Sequence, residues 1–581
     1  MNQNNAIQRT TGDLANDQSI LQALITLAAD VELFTIPLYM TSLYSIAGVQ
    51  AQTNGTVVPY IGPNESYSLQ GKSSQKAYNI IYSVYIQEML HLQLALNIGN
   101  VLGVKAALTQ PKFPPKPEDP NWIPCLGKLG NLNPAKYPEF ENITAALGEL
   151  DENTINLFLA IELPDDESLV APPSVPLICS PSDVPSLTFG GIGNLYHIIE
   201  QYMGFEYPGD DGKSYTLFEY CYTQAMANSD NKIVQVNLFE GKAAYSHMTL
   251  DIAQGTSVSD AYTGVLDMIA AIVSEGEGSS KTGHNFVSPN YRPDDGDIAT
   301  NVLWDTYSHW ARFEEVKALY KDVLTWPKWR AERELSHPGQ GPWLWTDLLA
   351  DPLAPSTEAN ALDTEALAKQ KADAWNSPDI GPQLNDILNS TFELFLNSIN
   401  RSWSAKAISF PANAMYSISS RVTSVWAAGA VPQFAKPSGS STGTSLHACQ
   451  GLNTKKEGNS NPGECQCATA IAHTCAGTNS CESQGGCGYA IDNTGTPNYY
   501  AIKGSTENYI PSENTKKGNG GCGAPIPTTQ VFTQQYGPDQ YGPLNGENVW
   551  DHARSLFFKN NPHAHQKTLT PSPVRIVLPP S

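Results

Sequence analysis

The chain has 581 residues, of which 41% are apolar and 9% aromatic, enough to bury a large core. Only 16% are charged, and 34 Lys and Arg against 57 Asp and Glu leave a net charge of −23. So acidic a body lacks the clustered Lys and Arg that phosphate binding needs, which argues against a nucleic-acid partner and against an anionic membrane surface.

Residues Met1 to Asp13 are polar and hold no apolar stretch of the kind a secretory leader carries. No uncharged apolar run reaches ~18 residues, the length a membrane span requires. The expectation is a cytoplasmic protein without a span.

Leu14 to Val49 reads as one long buried helix, kinked at Pro37, where the ring removes a backbone donor. Gln50 to Ser74 is a polar loop, and Ala77 to Leu102 is the second helix. Pro111 to Pro138 is irregular. Glu139 to Glu162 reads as helical, stopped by Pro164, and the Pro-rich stretch to Gly190 is loop. Further helices are expected over Ile192–Met203, Asn228–Tyr245, Asp260–Glu275, Asn301–Leu324, Leu362–Trp375, Gln383–Trp403 and Pro411–Ala428. Strand signals are few. The fold class is all-α over about residues 14–430, with long loops.

Composition changes near Lys436. Seven of the ten cysteines crowd between Cys449 and Cys522 in a background of Ser, Gly, Thr and Asn. The expected organisation is a helical domain over 1–435, a small Cys-rich module over 436–548 and a tail over 549–581. The module repeats itself: His447-x-Cys-x-Gly-x-Asn453 returns as His473-x-Cys-x-Gly-x-Asn479, and Gly485-Gly-Cys-Gly488 as Gly520-Gly-Cys-Gly523. None of this has zinc-finger spacing. Disulfide stapling, binding of copper or zinc through Cys and His, and electron donation to the helical domain stay open.

Acidic residues stand where apolar ones belong. Glu32 sits in a helical stripe of Ile25, Ala28, Ile36 and Tyr39. Glu88 sits in a stripe of Ile81, Val84, Leu92 and Ala95, with His91 one turn on. Glu88-x-x-His91 thus places a carboxylate beside an imidazole on a buried face. An isolated buried carboxylate costs several kcal/mol, on the order of the penalty for any unpaired buried ion. A bound cation relieves both that cost and the repulsion between acids on neighbouring helices. Di-iron and di-manganese helical bundles use this pattern, with one Glu from each of two helices and Glu-x-x-His from each of two others.

The second half of such a site falls downstream. Glu275 and Glu277 end an apolar helix in Ser274-Glu-Gly-Glu-Gly278, where a plain helix end competes with a ligand role for Glu277. His309 lies on a stripe with Val302, Thr306, Phe313 and Val316, so the second Glu-x-x-His fails at Thr306; either Asp305 substitutes or the site is asymmetric. A core histidine is the competing reading of His309. Glu162 is either a ligand or a partner of Arg312. Arg312, one turn beyond His309, pairs with a buried acid or holds a substrate carboxylate. Glu200 is a candidate outer acid. Tyr39, Tyr44 and Tyr85 read first as packing.

Taken together, Val31-Glu-Leu-Phe-Thr-Ile-Pro-Leu-Tyr-Met-Thr-Ser-Leu-Tyr-Ser-Ile46, Gln87-Glu-Met-Leu-His-Leu92, Phe158-Leu-Ala-Ile-Glu-Leu-Pro164, Ile192-Gly-Asn-Leu-Tyr196, Glu275-Gly-Glu-Gly278 and Ser308-His-Trp-Ala-Arg-Phe313 resemble the ferritin-like domain of the iminophenyl-pyruvate dimer synthases. That family is related to the imine-coupling enzymes of the violacein and rebeccamycin pathways. The resemblance spans about residues 14–430. It implies a ferritin-like four-helix bundle core with extra helices. It implies Glu32, Glu88, His91, Glu277 and His309 as metal ligands, with Glu162 as an addition.

The expected function is that of an oxidase or oxygenase with two iron ions, acting with O₂ on an amino-acid-derived or similar small metabolite. Manganese or a single ion are the alternatives for the centre, and Arg312 and Glu162 are the candidate catalytic residues. Oxidative imine coupling and non-enzymatic metal handling by a ferroxidase-like core are the alternative functions. The oligomeric state is left open.

Overall fold

The computed structural model describes residues 7–47, 71–104, 107–164, 171–175, 177–227, 252–253, 255–276, 308–348, 369, 372–373, 375–402 and 412–435, and two short strands at 489–491 and 509–511. The architecture is all-α. Helix α1 spans Leu14–Leu43 and carries Pro37 in its interior. Its length and apolarity are those of a membrane span, yet 72% of its most apolar window is buried inside the fold. Its apolar surface is therefore largely taken up by neighbouring parts of the chain.

Helix α2 (Gly71–Val101) makes the most extensive contact with α1. Helix α3 covers Glu152–Ile161 and α4 Ile192–Met203. Then come α5 (Leu217–Ala227), α6 (Val258–Glu275), α7 (His309–Leu319) and α8 (Trp326–Ser336). Helices α9 (Ile380–Ser402) and α10 (Ala412–Ala427) pack on each other, and α10 also meets α1 and α8. Around the centre, α2 packs on α6 and α7, α7 on α3, α1 on α4, and α4 on α6.

Among the described residues, strands form three antiparallel pairs: β1 (Trp122–Ile123) with β2 (Gly127–Lys128), β3 (Glu206–Pro208) with β4 (Ser214–Thr216), and β5 (Tyr489–Ile491) with β6 (Tyr509–Pro511).

Local chemistry explains where the helices begin. Asp151 accepts a hydrogen bond from the Thr154 amide and so caps α3. The helix expected from Glu139 therefore starts only at Glu152. Upstream lie a single 3₁₀ turn at Pro138–Phe140 and irregular chain that includes Gly148. Ser257 caps α6, Ser308 caps α7 and Thr325 caps α8 by the same side-chain-to-amide bond.

The stretch read as one helix to Leu324 ends at Leu319. A 3₁₀ turn follows at Tyr320–Asp322, and a new helix starts behind Thr325 with Pro327 in its first turn, where a missing amide costs nothing. Helices α5 and α8 carry no counterpart in the sequence expectations. The expected helix over Asn228–Tyr245 lies outside the described residues, as do most of Leu362–Trp375, all of 549–581 and all of the Cys-rich module except β5 and β6.

Candidate metal centre

Five side chains from four helices converge in the core. Glu32 comes from the middle of α1. Glu88 and His91 come from successive turns of α2. Glu162 stands at the C-terminal end of α3, where Pro164 prevents continuation. His309 is the first residue of α7. All five are at most 2% exposed. The stripe argument for Glu32 and Glu88 thus holds as burial.

His309 Nδ1 lies 2.8 Å from Glu88 Oε1 and 3.3 Å from Glu162 Oε2. His91 Nδ1 lies 3.5 Å from Glu88 Oε1 and 3.8 Å from Glu32 Oε2. The two imidazoles stack with centroids 5.3 Å apart. Glu88, His91 and His309 each offer a donor atom within 4.8 Å of the others, close enough to share one ion. His309 Nδ1 makes no aligned hydrogen bond with either carboxylate, although both are near. Its position fits lone pairs that face a common point rather than each other.

An outer layer holds the acids in place. Tyr196 of α4 donates to Glu32 Oε1 at 2.8 Å. Tyr39 of α1 donates to Glu162 Oε1, and Thr35 donates to Glu88 Oε2. Gln87 Oε1 lies 3.2 Å from His309 Nε2 and accepts from Arg312 Nη1 at 2.5 Å. The Tyr39 ring is fixed between Phe158 and Phe313, with centroids 4.6 and 5.1 Å away.

Glu32, Glu88, His91, Glu162, Ile192, Gly193, Tyr196, Ile272, Val273 and Gly276 line a small cavity. Gly276 closes α6, and its carbonyl accepts the His309 amide at 3.2 Å. A Cβ at Gly276 would stand 3.7 Å from His91 Cε1 and 3.8 Å from Glu162 Oε2. This glycine therefore leaves backbone where a side chain would press on the donors.

Electrostatics follow from burial. Removal from water pushes the Glu32 carboxyl up to about 8, with nearby Glu88 adding to the rise and His91 opposing it. For Glu88 burial alone would raise the carboxyl, but His309 and His91 together outweigh it and hold it well below the carboxylate range. Burial likewise keeps Tyr39 and Tyr196 protonated far above the usual phenol range.

Three carboxylates and two imidazoles are a donor set suited to iron, manganese or zinc rather than to a soft thiophilic ion. The residues present fit a divalent cation: the acids are buried, and an imidazole nitrogen points among them without a bonded proton partner.

Of the residues singled out in the sequence, Glu32, Glu88, His91, Glu162 and His309 meet at this centre. Glu277, Asp305 and Thr306 lie outside the described residues. Arg312 is buried one turn from His309, where it donates to Gln87 and Ser83, and it is not among the residues lining the cavity. Glu200 is displaced from the centre: its side chain is 45% exposed and lies 3.8 Å from His197. Tyr196, Thr35 and Gln87 had no signal of their own. All three occur inside the quoted motifs, and only their positions one helical turn from a cavity residue could have drawn notice.

Fold and donor set together define a helical carboxylate–histidine bundle. The chain belongs to the ferritin-like family, whose model matches residues 25–318, just over half of its length. Among solved structures, a ferritin-like protein from Caulobacter vibrioides is similar, with a TM-score of 0.40 and 20% identity, over 71% of this chain and 97% of that one. No curated protein matches the chain.

Proposed function

We propose that this protein is an oxidoreductase that uses O₂ at a centre of two iron ions held by Glu32, Glu88, His91, Glu162 and His309. The observation that carries the reading is the approach of His309 Nδ1 to Glu88 and Glu162 without hydrogen-bond alignment, inside a buried wall of Ile, Val and Tyr. When bound, ferrous iron would supply electrons for O₂ reduction, and hard carboxylate oxygens would favour its ferric state.

The chain's own residues do the rest. Glu88 stands between both imidazoles and would hold a cation together with either of them. Tyr196 and Tyr39 orient Glu32 and Glu162, and the phenols stay protonated as donors. Ile192, Ile272 and Val273 keep bulk water out. Gly193 and Gly276 line the cavity without side chains.

The substrate class we infer is an amino-acid-derived or similar small metabolite, a reading supported by the motif resemblance. Oxidative imine coupling is the narrower form of that reading. A ferroxidase-like metal-handling role is the second reading. The small cavity favours it, because it has room for about one water-sized group.

The test begins with anaerobic Fe(II) loading, iron analysis and O₂ uptake on the full chain. The reading expects about two irons per chain, the stoichiometry of carboxylate bundles, with O₂ consumed in a burst. Continued uptake only with an added amine or amino-acid-derived compound supports the enzyme. Uptake that stops with iron oxidation supports metal handling. Failure to retain iron overturns both.

A further inference from the structure

Arg312 and Gln87 belong to neither the cavity nor the apolar core. Arg312 is 1% exposed, on α7, one turn after His309. Its Nη1 donates to Gln87 Oε1 at 2.5 Å and to Ser83 Oγ at 3.2 Å, and Ser83 and Gln87 share one face of α2 a turn apart. The same Gln87 oxygen lies 3.2 Å from His309 Nε2.

The chemistry of these groups settles which proton His309 turns toward Gln87. A guanidinium only donates hydrogen bonds, so it forces the Gln87 amide to turn its oxygen, not its NH₂, inward. An amide oxygen only accepts, with two lone pairs, so His309 must present Nε2–H to it. In the charged ring Nδ1–H then faces Glu88 and Glu162; in the neutral ring, and against a cation, the same atom is left as a lone pair.

We propose that Arg312 and Gln87 are a positioning pair that fixes His309 as the Nε2–H tautomer, with its Nδ1 lone pair offered to the cation. The proposal rests on the metal-centre reading above and adds the device that sets one of its ligands. It also moves Arg312 from substrate contact to a role exerted through Gln87.

The experiment uses the full chain labelled with ¹⁵N-histidine, metal-free and in alkaline buffer, with the His309 signals assigned by their loss in His309→Gln. Mn(II) affinity is measured alongside by electron paramagnetic resonance of the free ion. The expected wild-type spectrum is a single Nε2–H tautomer. Gln87→Leu, with circular dichroism showing an intact fold, is expected to mix the tautomers and weaken Mn(II) about 10- to 100-fold, the usual effect of losing a ligand's orienting partner.

Gln87→Glu, which still accepts from both neighbours, is expected to restore the tautomer. Arg312→Gln, which can present either amide end, is expected to mix it as Gln87→Leu does. It also serves as the probe if Gln87→Leu does not fold. An unchanged tautomer and unchanged Mn(II) affinity in the folded variants overturn the proposal. A tautomer that responds while wild type binds no Mn(II) supports the pair and overturns the metal reading instead.

Discussion

His309 Nδ1 and Glu88 Oε1 approach to 2.8 Å across the contact between α7 and α2, with no aligned hydrogen bond between them. One cation placed among Glu88, His91 and His309 satisfies all three, and either residue lost should release it. Glu88→Ala and His309→Ala are each expected to abolish stoichiometric metal, read by elemental analysis after dialysis. Folded variants of both that keep full metal would show that the acids are paired structurally.

Tyr39 links the centre to the aromatic core. Its hydroxyl serves Glu162 while its ring packs on Phe158 and Phe313. Tyr39→Phe keeps the packing and strips one donor from a buried carboxylate. The expected cost to the metal-free protein is about 1–3 kcal/mol, the penalty for a buried acceptor losing its partner. Chemical denaturation measures it. Added metal should recover much of that loss, because the cation then holds Glu162; a variant equally destabilised with and without metal would deny that link.

The parts of this centre that were legible in the sequence are those that break a pattern. Glu32 and Glu88 interrupt apolar stripes of period 3.6, and that periodicity survives into the structure as near-complete burial. Glu162 was legible as an acid near a helix-ending proline whose role, ligand or partner of Arg312, stayed open, since its neighbours are far away in sequence. Tyr196 and Thr35 conform to the pattern around them, so nothing marked them. Helix α8 was hidden because Trp326, Pro327 and its many charges give no apolar stripe; the Thr325 cap and packing against α10 form it. The late start of α3 depends on the Asp151 cap winning over Ala145–Gly148, a competition that propensity alone does not decide.

Glu32 gives the metal-free protein a pH dependence of known sign. Its carboxyl is raised from 4.5 to about 8 by burial, so the folded state holds a proton that the unfolded chain has released between those values. Stability from this group is full below 4.5 and falls as pH rises toward 8. Glu88 acts oppositely and only in acid, where its depressed carboxyl takes up a proton. The unfolding temperature of metal-free protein should therefore decline across that window, and Glu32→Gln should flatten the decline. Metal affinity should rise over the same range, because binding expels the Glu32 proton. An equal slope in wild type and Glu32→Gln would assign the dependence elsewhere.

The three cysteines among the described residues differ in environment. Cys179 is exposed, whereas Cys125 and Cys221 are buried, and burial raises the Cys221 thiol to about 11. Since the thiolate is the reacting form, maleimide near neutral pH should label Cys179 in the native protein and spare the other two. Peptide mapping by mass spectrometry reads the pattern. Labelling of Cys221 at the rate of Cys179 would mean that α5 opens readily.

Gly276 offers a test of the cavity itself. A side chain there meets its own helix end and the donors of the centre. A Cβ would stand 3.2 Å from the Ile272 carbonyl and just under 4 Å from both His91 and Glu162. Gly276→Ala needs a shift of a few tenths of an ångström by its own helix end. It is expected to lower stability modestly, about 1 kcal/mol as for typical substitutions. Gly276→Val adds two methyl groups toward the donors, which have room for only about one water-sized group. The folded valine variant should lose metal affinity well beyond the alanine variant, with their unfolding temperatures in metal-free buffer lying closer together than their affinities. Equal affinities would place the opening of the centre away from α6.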